Sequence, residues 1–158
     1  MNQFTITRQI DAPVEIVWSV LDDFGNIADW SSGVKRSSLT SEGPVGEGAT
    51  RHCDFVPLGG VNERIEAYRP NERMAVNMYE IFKMPVSSAI ADFNLASAGD
   101  GTVLTLNVDY TPNRLGRVAR GTTEKQMRKG MSALAHDLER ESERLASTIT
   151  EGATDGTA

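Results

Sequence analysis

Cysteine is nearly missing from this 158-residue chain: Cys53 stands alone. No disulfide can form within the chain, so a reducing, cytoplasmic setting is the expectation. Histidine is also scarce, with two residues, which leaves little from which to build a His/Cys metal site. No apolar run approaches the roughly 20 residues that span a bilayer. The start of the chain lacks a basic stretch followed by an apolar one, so no signal peptide is expected. Positive charge is in deficit: 22 acids against 16 bases give a net charge of −6. The protein as a whole should therefore seek neither nucleic acid nor an anionic membrane. Internal repeats and low-complexity tracts are absent as well.

What is present is an ordinary globular composition, 39% apolar and 24% charged, of a length that suits one domain with a real core. Residues 1–149 read as that domain. From Thr150 to Ala158 the chain is Gly, Thr, Ala and acid, a composition expected to be a disordered tail. Near the start, a strand at 3–10 leads to Pro13, suited to open a helix. Val14, Val17, Trp18 and Leu21 then form one apolar stripe at helical spacing. Gly25 offers a left-handed stop, and a second short helical segment ends on Trp30.

The middle of the chain is punctuated at short intervals by Gly, Pro and Asn. Between these breaks lie runs rich in Val, Ile, Thr, Tyr and Phe, predicting strands near 34–41, 49–56, 61–69, 73–82, 86–97 and 101–111. Connections this short favour antiparallel neighbours. The last run alternates Leu104, Leu106, Val108 and Tyr110 with Thr105, Asn107 and Asp109, one buried face and one wet face. A long helix closes the chain, roughly Thr123 to Ser147. Thr123 and Gln126 fit a capping box, and Met127, Met131, Leu134, Leu138 and Leu145 form its apolar stripe. Asp137 with Arg140, and Glu141 with Arg144, are placed to pair on its exposed side.

Particular residues carry a resemblance. They are Ile10-Asp11-Ala12-Pro13 with Val17-Trp18, Asp23-Phe24 with Trp30, Val45-Gly46-Glu47-Gly48-Ala49-Thr50-Arg51 entering a strand, Glu63-Arg64-Ile65 on the next, Gly101-Thr102 opening the last strand, and the long final helix. Together they span nearly the whole chain, which resembles the helix-grip fold of the START/SRPBCC superfamily. That superfamily includes the birch-pollen allergen, abscisic-acid receptors and polyketide cyclases, and the chain is most similar to the bacterial polyketide cyclase/dehydrase-like group. The resemblance implies an α+β fold in which an antiparallel seven-stranded sheet wraps a long C-terminal helix, with two short helices after the first strand. It also implies a ligand cavity between sheet and helix, no cofactor, and a Glu63 that faces the cavity. The cavity should fall within the usual range for ligand pockets, on the order of 300–1,000 Å³.

Catalytic motifs are nearly absent. Asp23-Phe24-Gly25 lacks the loops that would make it a nucleotide site, and Gly43-x-x-Gly46-x-Gly48 joins strand to strand rather than strand to helix. In His52-Cys53-Asp54 the cysteine points away from its neighbours, which argues against a metal. Arg51, Cys53 and Phe55 share a strand face, as do Val61, Glu63 and Ile65. A buried Arg51 and Glu63 need partners, either each other or a ligand. Met74 and Met78 can share a strand face, and Met127 and Met131 share a helix face; these are either core filler or a soft wall for varied apolar ligands. Gly130 inside the helix leaves either room for a ligand or a bend, or is a tolerant surface position. Trp30 either packs in the core or borders the pocket. Phe93, Leu106 and Leu134 complete the apolar candidates.

Six cations, Arg114, Arg117, Arg120, Lys125, Arg128 and Lys129, face one acid, Glu124, between Asn113 and Gly130. By the resemblance, this segment overhangs the cavity mouth, with Leu115 and Val118 as a greasy lid. The run is either a solvated face or a means of capturing an anionic ligand, a membrane or a carrier protein. The function expected is binding or carriage of a mainly apolar small molecule or lipid. The alternatives are a polyketide aromatase/cyclase-like enzyme, with Arg51, Glu63 and Tyr79 as its polar groups, and a protein-interaction module. Tyr79 falls on the strand face opposite Met78, which weakens the enzyme reading.

Overall fold

The computed structural model describes residues 2–155. Seven antiparallel strands form one sheet: β1 (Asn2–Ile10), β2 (Val34–Leu39), β3 (Thr50–Phe55), β4 (Gly60–Arg69), β5 (Arg73–Phe82), β6 (Val86–Ala98) and β7 (Gly101–Pro112). Their spatial order is β1-β7-β6-β5-β4-β3-β2, so β2 to β7 pair as consecutive hairpins and only β1 joins out of sequence, beside β7. Between β1 and β2 lie helix α1 (Val14–Asp22) and a 3-10 helix (Phe24–Asp29). After β7 come a short helix α2 (Arg114–Val118) and the long helix α3 (Arg120–Asp155). This is the helix-grip fold.

Local chemistry explains these elements. Pro13, with φ −59° and ψ 151°, sits just outside α1, and Val14, Val17, Trp18 and Leu21 bury the expected stripe. Trp18 packs edge-on to Tyr68 with ring centroids 5.2 Å apart. Gly25 is not a left-handed stop, since the glycines with positive φ are Gly43, Gly48, Gly59 and Gly99. The chain runs on instead into the 3-10 helix, where Gly25 leaves space for Leu39.

Helix α3 begins three residues earlier than its sequence signal suggested, and Thr123 does not cap it. Ala119 O already accepts from Thr123 N at 2.9 Å. The buried Thr123 hydroxyl instead turns back to Gly116 O and Ala119 O at 3.2 and 3.0 Å. It thereby ties α3 to α2. At its other end α3 continues through Asp155, past the Thr150 at which a tail was expected; residues 156–158 lie outside the described residues. Asp137 does pair with Arg140, at 3.4 Å, yet it is buried rather than on the exposed side. Its Oδ2 accepts from Ser32 N at 2.8 Å and Ser32 Oγ at 2.7 Å, fastening the helix to the loop before β2.

The position of α3 creates the site. It lies close against α1, β1 and β7 and stands off from the middle strands. On the close side Leu104, Leu106 and Leu138 are wholly buried and fill the contact. On the other side the sheet curls away and leaves space.

Candidate functional site

That space is a cavity of about 260 Å³ between α3 and strands β3 to β6, slightly below the expected range. Each strand contributes alternate residues, because successive side chains point to opposite faces. From β3 come Arg51, Cys53 and Phe55, and from β4 Val61 and Glu63. Val76 and Met78 come from β5, and Ala89, Ala91 and Phe93 from β6. The roof is Gln126, Met127, Gly130, Met131 and Leu134 of α3. Val34, Val56, Leu58, Ile81, Met84 and Val86 border the end where β3 and β5 terminate. Gly130 is exposed as well as part of the lining, and an added Cβ there would meet no atom within 4 Å.

The wall is mainly apolar, and besides Ser31 and Gln126 it is broken by one charged pair. Arg51 and Glu63 sit directly opposite each other on β3 and β4 and form a buried ion pair through Arg51 Nε and Glu63 Oε2. The guanidinium also donates from Nη1 to Phe24 O at 2.8 Å and stacks over the Phe24 ring at 3.9 Å. Of the two partnerships open to these groups, they take each other. Cys53 Sγ lies 3.5 Å from the same Glu63 oxygen. Burial first, and then the Glu63 charge, push the Cys53 thiol up to about 12. It is therefore a small apolar group that donates weakly, not a thiolate nucleophile. The polar pair can present one edge of charge to a ligand's hydroxyl, carbonyl or carboxyl group at the inner end of an otherwise greasy space.

The other candidates divide by position. Arg51, Glu63, Met78, Phe93, Met127, Met131 and Leu134 line the cavity. Met74 and Trp30 do not; with Phe24, Val76 and Phe93 they border a separate pocket of about 10 Å³ beneath the 3-10 helix. Met74 lies toward the start of β5, one turn of the pleat too far from the mouth. Leu106 is fully buried because β7 lies where α3 packs tightly. Leu115 and Val118 point into solvent, at 70% and 86% exposure, and border the mouth without lining the cavity. Tyr79 lies on the outer sheet face, beneath the Arg64 guanidinium at 5.4 Å. His52 and Asp54 also stand outside, 3.0 Å apart, with Cys53 inside. Sequence reasoning missed Val76, Ala89 and Ala91, whose alternation with Met78 and Phe93 carried the signal. It also missed Val56, Leu58 and Met84, which lie in loops where no periodicity marks a facing direction.

The fold is the helix grip of the START/SRPBCC superfamily. Within it, a model of the family described as polyketide cyclase / dehydrase and lipid transport matches residues 1–143, and the chain belongs to that family. Solved structures agree in fold. The ZhuI aromatase/cyclase from Streptomyces sp. R1128 is 19% identical, with a TM-score of 0.78 over 90% of this chain and 94% of that one. TTHA0849 from Thermus thermophilus is 17% identical, with a TM-score of 0.78 over 92% and 99%. The protein Ara h 8.0201 is 10% identical, with a TM-score of 0.71 over 89% and 97%. Among curated protein sequences none matches significantly. Among the described residues, no helix is long and apolar enough to cross a membrane.

Proposed function

We infer that the chain binds a mainly apolar small molecule or lipid between its sheet and α3. One observation carries this reading: α3 stands off from β3 to β6 and leaves a cavity of about 260 Å³ walled by aliphatic, Met and Phe side chains. A wholly structural interior would close such a space, since voids larger than a water molecule are few in packed cores. The methionines Met78, Met84, Met127 and Met131 all reach it and supply an adaptable surface. The volume suits a small aromatic or short acyl compound rather than a whole phospholipid.

Native mass spectrometry of protein purified without refolding tests this, together with titration of a polarity-sensitive naphthalene probe. A co-purified apolar mass, or saturable probe binding displaced by apolar acids and alcohols, is expected. Neither mass nor probe binding would end the reading. The Arg51–Glu63 pair favours a second reading, an aromatase/cyclase-like activity in which the cavity folds a reactive chain against one polar edge. Conversion of a poly-β-keto thioester by the intact protein would select it over simple carriage.

A further inference from the structure

Strands β3, β5 and β7 all finish at one end of the sheet, the end where the cavity reaches the surface. Three segments meet there: the β3–β4 loop, the β5–β6 loop and α2. They are tied together: Asn113 N donates to Pro85 O at 3.1 Å and Asn113 Nδ2 to Met84 O at 2.9 Å, while the Phe82 ring lies against Gly60. Large apolar side chains left exposed elsewhere among the described residues are Leu39, Ile90 and Ile149, well apart. At this end stand five: Val56 at 55%, Leu58 at 56%, Phe82 at 45%, Leu115 and Val118. Val56 and Leu58 also line the cavity, so the greasy rim and the greasy interior are continuous.

Charge within these three segments is of one sign. Residues 56–59, 82–85 and 112–121 contain Lys83, Arg114, Arg117 and Arg120 and no acid. All four cations are exposed, and none forms an ion pair among the described residues. In a chain of net charge −6 this is a local reversal. The flanking acids Asp54 and Glu124 are engaged by Arg36 and His52 and by Arg128, and screening acts over about 8–10 Å at ordinary ionic strength, so an approaching surface feels chiefly the unpaired cations.

We propose that this end docks on an anionic lipid surface, with Leu115, Val118, Phe82 and Leu58 entering the interface and Lys83, Arg114, Arg117 and Arg120 meeting the headgroups. Apolar tips carried on separate turns, flanked by unpaired cations, fit a soft interface that each tip can enter independently. A folded protein partner would require a complementary relief. The dock goes beyond the cavity reading and rests on it only for its purpose, which is to let an apolar molecule pass between bilayer and cavity without crossing water.

The test is vesicle flotation of the intact protein. The probes are vesicles of phosphatidylcholine alone and of phosphatidylcholine with roughly one-third phosphatidylglycerol, a strongly anionic surface. Flotation with the anionic vesicles, weakened by salt, is expected. Arg114→Gln, Arg117→Gln and Arg120→Gln together should weaken it on the order of tenfold or more. Leu115→Ser with Val118→Ser should weaken it at every salt concentration. These side chains are exposed, so circular dichroism melts should not move.

No flotation, or flotation indifferent to both sets of variants, overturns the dock. So does saturable binding of an acidic acyl carrier protein without flotation, which would make the partner a protein. Concentration-dependent dimerisation without flotation, abolished by Leu115→Ser with Val118→Ser, would make the occupant a second copy. The naphthalene probe separates the two readings. Probe binding without flotation removes the dock and keeps the cavity, while flotation without probe binding does the reverse.

Discussion

Arg51 and Glu63 face each other across adjacent strands and join as an ion pair inside an apolar wall, and each supplies the charge that the other's burial requires. Burying either alone would cost several kcal/mol, whereas together each charge has an opposite charge in contact, and Phe24 O accepts a further bond from the guanidinium. The pair also anchors the 3-10 helix to β3, which fixes the inner end of the cavity.

Breaking the pair should therefore be worse than removing it. Glu63→Gln or Arg51→Met alone is expected to destabilise by about 3–5 kcal/mol, and the double change Arg51→Met with Glu63→Leu by clearly less. Urea denaturation of the four proteins measures this. Single-variant losses below about 1 kcal/mol, the range of exposed pairs, would contradict the burial argument.

Met131 is half-buried on the cavity roof. Adding bulk to a tight core typically costs about 1–3 kcal/mol. At Met131 the added ring has empty space to enter, so Met131→Trp should leave stability within about 1 kcal/mol of wild type while abolishing uptake of the naphthalene probe. A large drop in melting temperature together with unchanged probe binding would assign Met131 to the core.

Outside the sheet, His52 places Nδ1 2.7 Å from Asn62 Oδ1 and Nε2 3.0 Å from Asp54 Oδ1. Only the protonated ring can donate to both acceptors at once. These bonds, that to Asn62 foremost and that to Asp54 next, hold the His52 pKa above its ordinary 6.5, and the His52 hydrogen bond holds the Asp54 carboxyl below its ordinary range. Because the folded His52 value is raised, its contribution to stability is complete below the unfolded value and disappears as pH rises through the folded one. Asp54 has the opposite sign: its contribution is present above the ordinary carboxylate range and is lost in acid. Asn62→Ala should lower the His52 pKa in an NMR titration and flatten the loss of stability as pH rises past the ordinary histidine value of 6.5. An unchanged titration would show that Asn62 does not hold the charge.

Much of the fold was legible because its signals are local. Turn residues separate each pair of strands, and hairpins between sequence neighbours need no long-range information. The inner face of β3 and β4 was legible for the same reason: period two places Arg51 with Cys53, and Val61 with Glu63. What failed depends on the distance between layers. Leu106 and Phe93 share an apolar inward pattern, yet α3 presses on β7 and not on β6, so one is core and the other cavity wall. Nothing in either strand encodes that offset. Met74 likewise shares the face of Met78, but the 3-10 helix covers its end of β5. Asp137 reads as a surface partner for Arg140 until the loop carrying Ser32 folds over it.

Gly116 decides whether α2 can lie where the mouth needs it. An added Cβ would stand 2.0 Å from Pro85 O and 3.0 Å from Pro112 Cβ. The first obstacle is backbone and cannot swing aside as a flexible side chain could. Asn113 caps α2 through its Oδ1, which accepts from Gly116 N at 2.9 Å, and the same residue bonds the β5–β6 loop. Gly116→Ala must therefore lift α2 from that loop and strain the Asn113 bonds, at a cost of about 1–3 kcal/mol. The damage should be local: faster hydrogen exchange at the Asn113 amide and easier proteolysis near Arg117, with the exchange of β6 and β7 unchanged. Gly121→Ala supplies the control, since no atom lies within 4 Å of its added Cβ. There the substitution should stabilise α3 by about 0.5–1 kcal/mol, through the ordinary helical preference for alanine over glycine. Equal behaviour of the two variants would mean that α2 is not held against the β5–β6 loop in solution, and the rim of Leu115 and Val118 would lose its fixed place beside the cavity.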